Sequence, residues 1–120
     1  MPSTITLFVY GTLKRGCRNH GAMRGAEFVG EAWTTPGYLL VNCGSYPGLV
    51  RAGNQQAGMA IHGELYLVSE EKLAELDRFE GVPLEYVRET IGLADGSEAE
   101  TYFYALPVAG LKMLGDEWCE

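Results

Sequence analysis

Sixteen of the 120 residues are glycine, roughly twice the usual share of about 7%, and they run from Gly11 to Gly115. Glycine inside a helix costs backbone entropy, so a chain punctuated this often is poorly suited to a bundle of long helices. The pattern favours turns, strands and close backbone approaches. Residues 5–10 (Ile-Thr-Leu-Phe-Val-Tyr) read as a strand that ends at Gly11. Residues 12–25 read as a long loop with one helical turn near 19–24. Further strands are predicted at 26–33, 37–41, 58–68, 86–93 and 98–106, which with the first make six. Turn chemistry alone makes 42–48 (Asn-Cys-Gly-Ser-Tyr-Pro-Gly) a loop. Asp95-Gly96 is a two-residue hairpin signal.

The one helix spans 69–78. Ser69 can cap it, Glu70 and Glu71 lie in the first turn where the dipole favours anions, and Gly81 and Pro83 stop it. Residues 107–120 form a tail. The expected architecture is α+β: one domain over residues 1–120, a small mixed β-barrel of six to seven strands with one main helix packed against it.

Sixteen acidic against nine basic side chains leave a net charge of −7, which argues against nucleic acid or an anionic membrane as partner. No apolar run approaches the ~18 residues needed to cross a bilayer. Met1-Pro2-Ser3-Thr4 lacks a basic leader. Cys17, Cys43 and Cys119 show no C-x-x-C spacing and read as free thiols in a reducing cytosol, so a cytoplasmic location is expected. Oligomeric state is left open.

Three places could carry chemistry. After the first strand, Tyr10-Gly11-Thr12-Leu13 can turn successive N–H groups inward as an anion cup, with Lys14 and Arg15 adding positive potential; the same residues also suit an ordinary tight turn. Leu73, Leu76 and Glu80 stand at i, i+3 and i+7, one face of a helix. Spacing leaves Glu80 either on the core side beside Phe79 or solvated past the helix end. On the core side, burial and the helix C-terminus both raise its pKa, as a proton shuttle requires. Tyr86, Arg88, Tyr102 and Tyr104 could form an aromatic wall beside it or serve as core tyrosines with wet tips. Cys17 with His20, and Cys43 with His62, lack any supporting signature for a nucleophile. Two histidines 42 positions apart offer no metal site, and no dinucleotide or phosphate-loop spacing is present.

In this order, several pieces resemble the gamma-glutamylcyclotransferase-like family: residues 9–16 (Val-Tyr-Gly-Thr-Leu-Lys-Arg-Gly), Tyr46-Pro47-Gly48, Gly63-Glu64-Leu65-Tyr66, Leu76-Asp77-Arg78-Phe79-Glu80-Gly81, Tyr86-Val87-Arg88, Tyr102-Phe103-Tyr104 and Gly115-Asp116-Glu117-Trp118. Glu117 stands inserted between Asp116 and Trp118 relative to the family ending. The likeness is greatest to compact members acting on gamma-glutamylamines. The resemblance implies a pocket between the first loop and the helix end. It assigns Tyr10, Gly11, Thr12 and Leu13 to substrate binding, Glu80 to general acid/base catalysis and Tyr104 to the pocket. It implies a small gamma-glutamyl substrate that yields 5-oxoproline and an amine, with no cofactor and no metal. A rival reading is a non-catalytic module of the same fold that binds a gamma-glutamyl compound or a protein partner.

Overall fold

Strand β1 (Thr4–Val9) forms the middle of the molecule because both of its faces are apolar. Leu7 and Val9 point to one side with Leu73, Leu76 and Tyr102, while Phe8 and Tyr10 point to the other with Leu40, Leu49 and Phe103. Alternation along one strand thus divides the core into two apolar layers. The structure, a computed structural model, describes residues 4–53 and 57–119. Met1, Pro2 and Ser3 of the leader reading and Glu120 of the tail lie outside the described residues.

The remaining strands are β2 (Glu27–Trp33), β3 (Tyr38–Asn42), β4 (Pro47–Arg51), β5 (His62–Ser69), β6 (Tyr86–Gly92) and β7 (Glu98–Tyr104). The main sheet has the order β2-β5-β1-β7-β6. It is mixed, since β1 pairs antiparallel with β5 and parallel with β7. β3 and β4 form a separate antiparallel pair. A closed barrel is not found among the described residues. At one end the outer strands meet, where Thr34 pairs with Leu93 and the N–H of Ala94 donates to Trp33 O at 2.9 Å.

Strand β4 lies partly inside the segment expected to be a loop. Pro47 is tolerated as its first residue, where a missing N–H costs little. Gly48 is required by packing: a Cβ there would come within 2.7 Å of Tyr104 Cβ and Cγ. β5 starts at His62 rather than at 58, although Met59 still bridges to Tyr38. The β6–β7 connection runs over the five residues 93–97 rather than a two-residue turn: Leu93 N donates to Ser97 O, and Gly96, with φ of 91°, closes the turn on Leu93 O.

Helix α1 (Glu70–Phe79) matches its expected signals. Ser69 Oγ accepts from Lys72 N at 3.1 Å, and Leu73 and Leu76 face the core. At the other end Gly81, with φ of 69°, donates to Arg78 O, and Val82 N donates to Asp77 O. This paired closure fixes where the chain leaves the helix. Asp77 also receives the Arg88 guanidinium at 3.0 and 3.3 Å and the Tyr102 hydroxyl at 2.7 Å, which ties α1 to the β6–β7 hairpin.

Candidate functional site

The end of β1, the end of α1 and the β3–β4 connection converge on a cavity of about 190 Å³. Gly11, Thr12 and Leu13 line it, and their carbonyls are all tied back. Gly11 O accepts from Lys14 N at 3.1 Å, Thr12 O accepts from Asn19 N at 3.0 Å, and Leu13 O meets His20 Nδ1 at 2.8 Å. The N–H groups of Gly11, Thr12 and Leu13 have no acceptor among the described residues. Three consecutive main-chain donors beside a cavity form the kind of concavity that attracts an anion.

The need for glycine at position 11 is steric, not a matter of an unusual φ. A Cβ there would lie 2.8 Å from Pro47 Cγ, so the bare backbone lets the β3–β4 connection close against the loop. Thr12 Oγ1 accepts from Asn19 Nδ2 at 3.0 Å, which holds the loop rather than leaving a loose hydroxyl. Lys14 and Arg15, expected to add positive potential here, are diverted. Lys14 is buried, and its Nζ donates to Trp118 O at 2.6 Å. Arg15 pairs with Glu64 and lies over the Phe28 ring. The cationic side chain that lines the cavity is Arg18.

Glu80 lines the same cavity, just past the last turn of α1, half-buried and on the same face as Leu73 and Leu76. Its N–H donates to Leu76 O at 2.8 Å, so the residue stays in helical register. Burial, followed by the nearby Glu85 carboxylate, pushes its pKa up to about 7. Burial was one of the two expected causes; the second is a neighbouring charge rather than the helix end.

Glu85 was not singled out from the sequence. It too lines the cavity, where it accepts the Tyr46 hydroxyl from the loop before β4. That contact pushes the Tyr46 phenol above its usual range. The only hint in the sequence was proximity: Glu85 lies five positions after Glu80, beyond a helix stop that folds the chain back.

Tyr10, Tyr86 and Tyr102 form the aromatic wall, and their hydroxyls are spent on structure. Tyr10 Oη donates to Tyr102 O at 2.6 Å and accepts from Leu49 N at 3.2 Å. Tyr86 Oη donates to Pro47 O at 2.8 Å. Tyr104 is not among the lining residues. Its ring packs edge-on against Tyr86 with centroids 5.5 Å apart, beneath Gly48 and beside the Cys43 thiol, so it stands behind the wall. Arg88 faces Asp77 and Glu100 instead of the cavity. Among the described residues, no cluster of three or more His, Cys, Asp or Glu is arranged to hold a metal. No helix there is long and apolar enough to cross a membrane.

Residues 7–120 match the family described as gamma-glutamyl cyclotransferase, AIG2-like. A provisionally named gamma-glutamylcyclotransferase of Vibrio cholerae is 43% identical over 116 residues, covering 95% of each chain. A rat protein named gamma-glutamylaminecyclotransferase is 40% identical over 89 residues, which are 68% of this chain and 58% of that one. The crystal structure of a mouse AIG2-like protein superposes with a TM-score of 0.81 at 31% identity, covering 94% of this chain and 87% of that one.

Proposed function

This chain belongs to the gamma-glutamyl cyclotransferase, AIG2-like family, and from that membership we propose that it cleaves a gamma-glutamyl amide by attack of the substrate's own α-amino group. The products are 5-oxoproline and a free amine. The observation that carries this reading is the presence, in the lining of one cavity, of a half-buried carboxyl with a pKa near 7 and three main-chain donors without protein acceptors among the described residues. The likeness to the rat protein supports gamma-glutamylamines as the substrate class.

The substrate brings its own nucleophile, so the protein has to orient groups and move protons from the α-nitrogen to the leaving nitrogen. The N–H groups of Gly11, Thr12 and Leu13 hold the α-carboxylate against the Tyr10 ring, and Tyr104 braces that wall from behind Tyr86. Glu80 takes a proton from the α-ammonium, which frees the nitrogen lone pair. The nitrogen attacks the γ-carbonyl carbon and closes a five-membered ring. The bond from that carbon to the leaving nitrogen then breaks, and Glu80 returns the proton to the departing amine. The ring nitrogen still carries a second proton, which passes through the same carboxylate to the amine. The α-nitrogen thus loses two protons, the leaving nitrogen gains two and departs as an ammonium, and Glu80 ends as it began. Proton transfer of this kind contributes about 10²–10⁴ in rate, and fixing amine and carbonyl in attack geometry contributes on the order of 7–11 kcal/mol in favourable intramolecular cases.

The test is 5-oxoproline release from a panel of gamma-glutamyl amines by the wild-type protein and Glu80→Gln. The expected result is turnover by the wild type and a loss of at least about 10²-fold in kcat in the variant, with binding retained. Full activity in Glu80→Gln would remove Glu80 from the reaction. Binding without turnover of any amide by the wild type would leave a non-catalytic module.

A further inference from the structure

We propose that Glu85, held by Tyr46, is the subsite for the substrate's α-ammonium group, so that the cavity selects ligands with a free amino group next to a carboxylate. The inference rests on the gamma-glutamyl reading above and adds a residue to it. The charged side chains that line the cavity are Glu80, Glu85 and Arg18. The cup of N–H groups and Arg18 supply the positive side, and the two glutamates supply the negative side. A zwitterionic amino-acid head carries the complementary pair of charges on two groups bonded to the same carbon.

The two glutamates cannot share one task. A base that receives the ammonium proton has to alternate between charged and neutral forms, and Glu80 is placed for that by its partial burial beside Glu85. A subsite needs a carboxyl group held in fixed geometry. Glu85 meets the second requirement, because its Oε2 accepts the Tyr46 hydroxyl and its amide N–H donates to Gly81 O at 3.0 Å. Its Oε1 approaches the Gly81 position, where a Cβ would stand 3.7 Å away, so the carboxylate is held close to the end of α1 that presents Glu80. An ammonium paired there is poised to pass a proton to Glu80. Once neutral, the amine loses the charge-assisted attraction that held it and is free to attack.

The first measurement is binding by calorimetry in the Glu80→Gln background, where ligand is not consumed. The probes are γ-glutamylmethylamide and its analogue lacking the α-amino group. The expected result is a preference of about tenfold or more for the amino form, which Glu85→Gln in the same background abolishes. Gln keeps the shape and can still accept from Tyr46. A preference that survives Glu85→Gln, or no preference in the Glu80→Gln parent, overturns the proposal. The second measurement is kinetic. Glu85→Gln alone is expected to raise KM by about 10-fold or more with a smaller change in kcat, and to move the acidic limb of kcat/KM to lower pH because a like charge beside Glu80 is gone. Loss of kcat with KM and the pH profile unchanged also overturns it. If the wild type releases no 5-oxoproline, the reaction assigned above fails while the binding arm still decides the role of Glu85.

Discussion

At the level of single residues, Glu80 couples activity and stability to pH in opposite directions. Its carboxyl keeps a proton in the folded protein up to about pH 7, whereas the ordinary value is 4.5. Between those values the native state binds more protons than the unfolded one, so stability falls as pH rises through the window. The cost above pH 7 is at most about 3 kcal/mol, reduced by whatever water at the cavity mouth screens. Urea unfolding at pH 5 and pH 8 is expected to show Glu80→Gln gaining on the wild type at the higher pH; parallel behaviour of the two would contradict the burial of this group. Activity should run the other way, with kcat/KM rising through pH 7 as the base becomes available, measured as 5-oxoproline release across pH. Gly11 makes a separate, steric prediction. Gly11→Ala forces its Cβ onto Pro47 and is expected to lower stability by about 1–3 kcal/mol and to raise KM, because the loop that holds the cup must shift.

At the level of elements, the two ends of α1 should behave differently. Ser69 caps the end remote from the cavity, so Ser69→Ala is expected to cost about 1 kcal/mol of stability and leave kcat unchanged. Gly81 closes the end that presents Glu80, in a left-handed conformation. Gly81→Ala is expected to cost about 1 kcal/mol as well, but to lower kcat at temperatures where the protein remains folded. Equal kinetic effects from the two variants would mean that the helix end does not position Glu80. The sequence signalled this helix well because cap, acidic first turn and terminal glycine all act within a few residues. It signalled β4 poorly because Pro47 and Gly48 are turn formers in isolation. They become strand residues only when Pro47 packs on Gly11 and Tyr104 packs on Gly48.

At the level of the whole molecule, the C-terminal segment acts as a brace for the cup. Asn42 N donates to Lys112 O, Leu114 N donates to Leu40 O, and Met113 bridges to Val41. Farther on, His62 N donates to Asp116 O and Lys14 Nζ donates to Trp118 O. The segment therefore lies along β3 and ends at the residue that follows the cup. Truncation after Ala109 is expected to lower Tm by more than about 5 °C and to raise KM, read by thermal melts and by kinetics below the new transition. An unchanged Tm would show that these contacts add nothing to stability.

The sequence by itself determined the local pieces: the helix with both of its ends, the pairing of β6 with β7 and the alternating β1 strand, while it left Glu80 open between the core side and solvent. Each follows from backbone preferences and side-chain periodicity over a short stretch. Tertiary structure alone decided which pieces share the cavity. It brought Tyr46 to Glu85 across 39 positions, sent Lys14 to Trp118 across 104, and left Tyr104 behind the wall. Membership of a cavity depends on how distant segments pack, and the energies that choose among packings come from contacts that no short window of sequence contains.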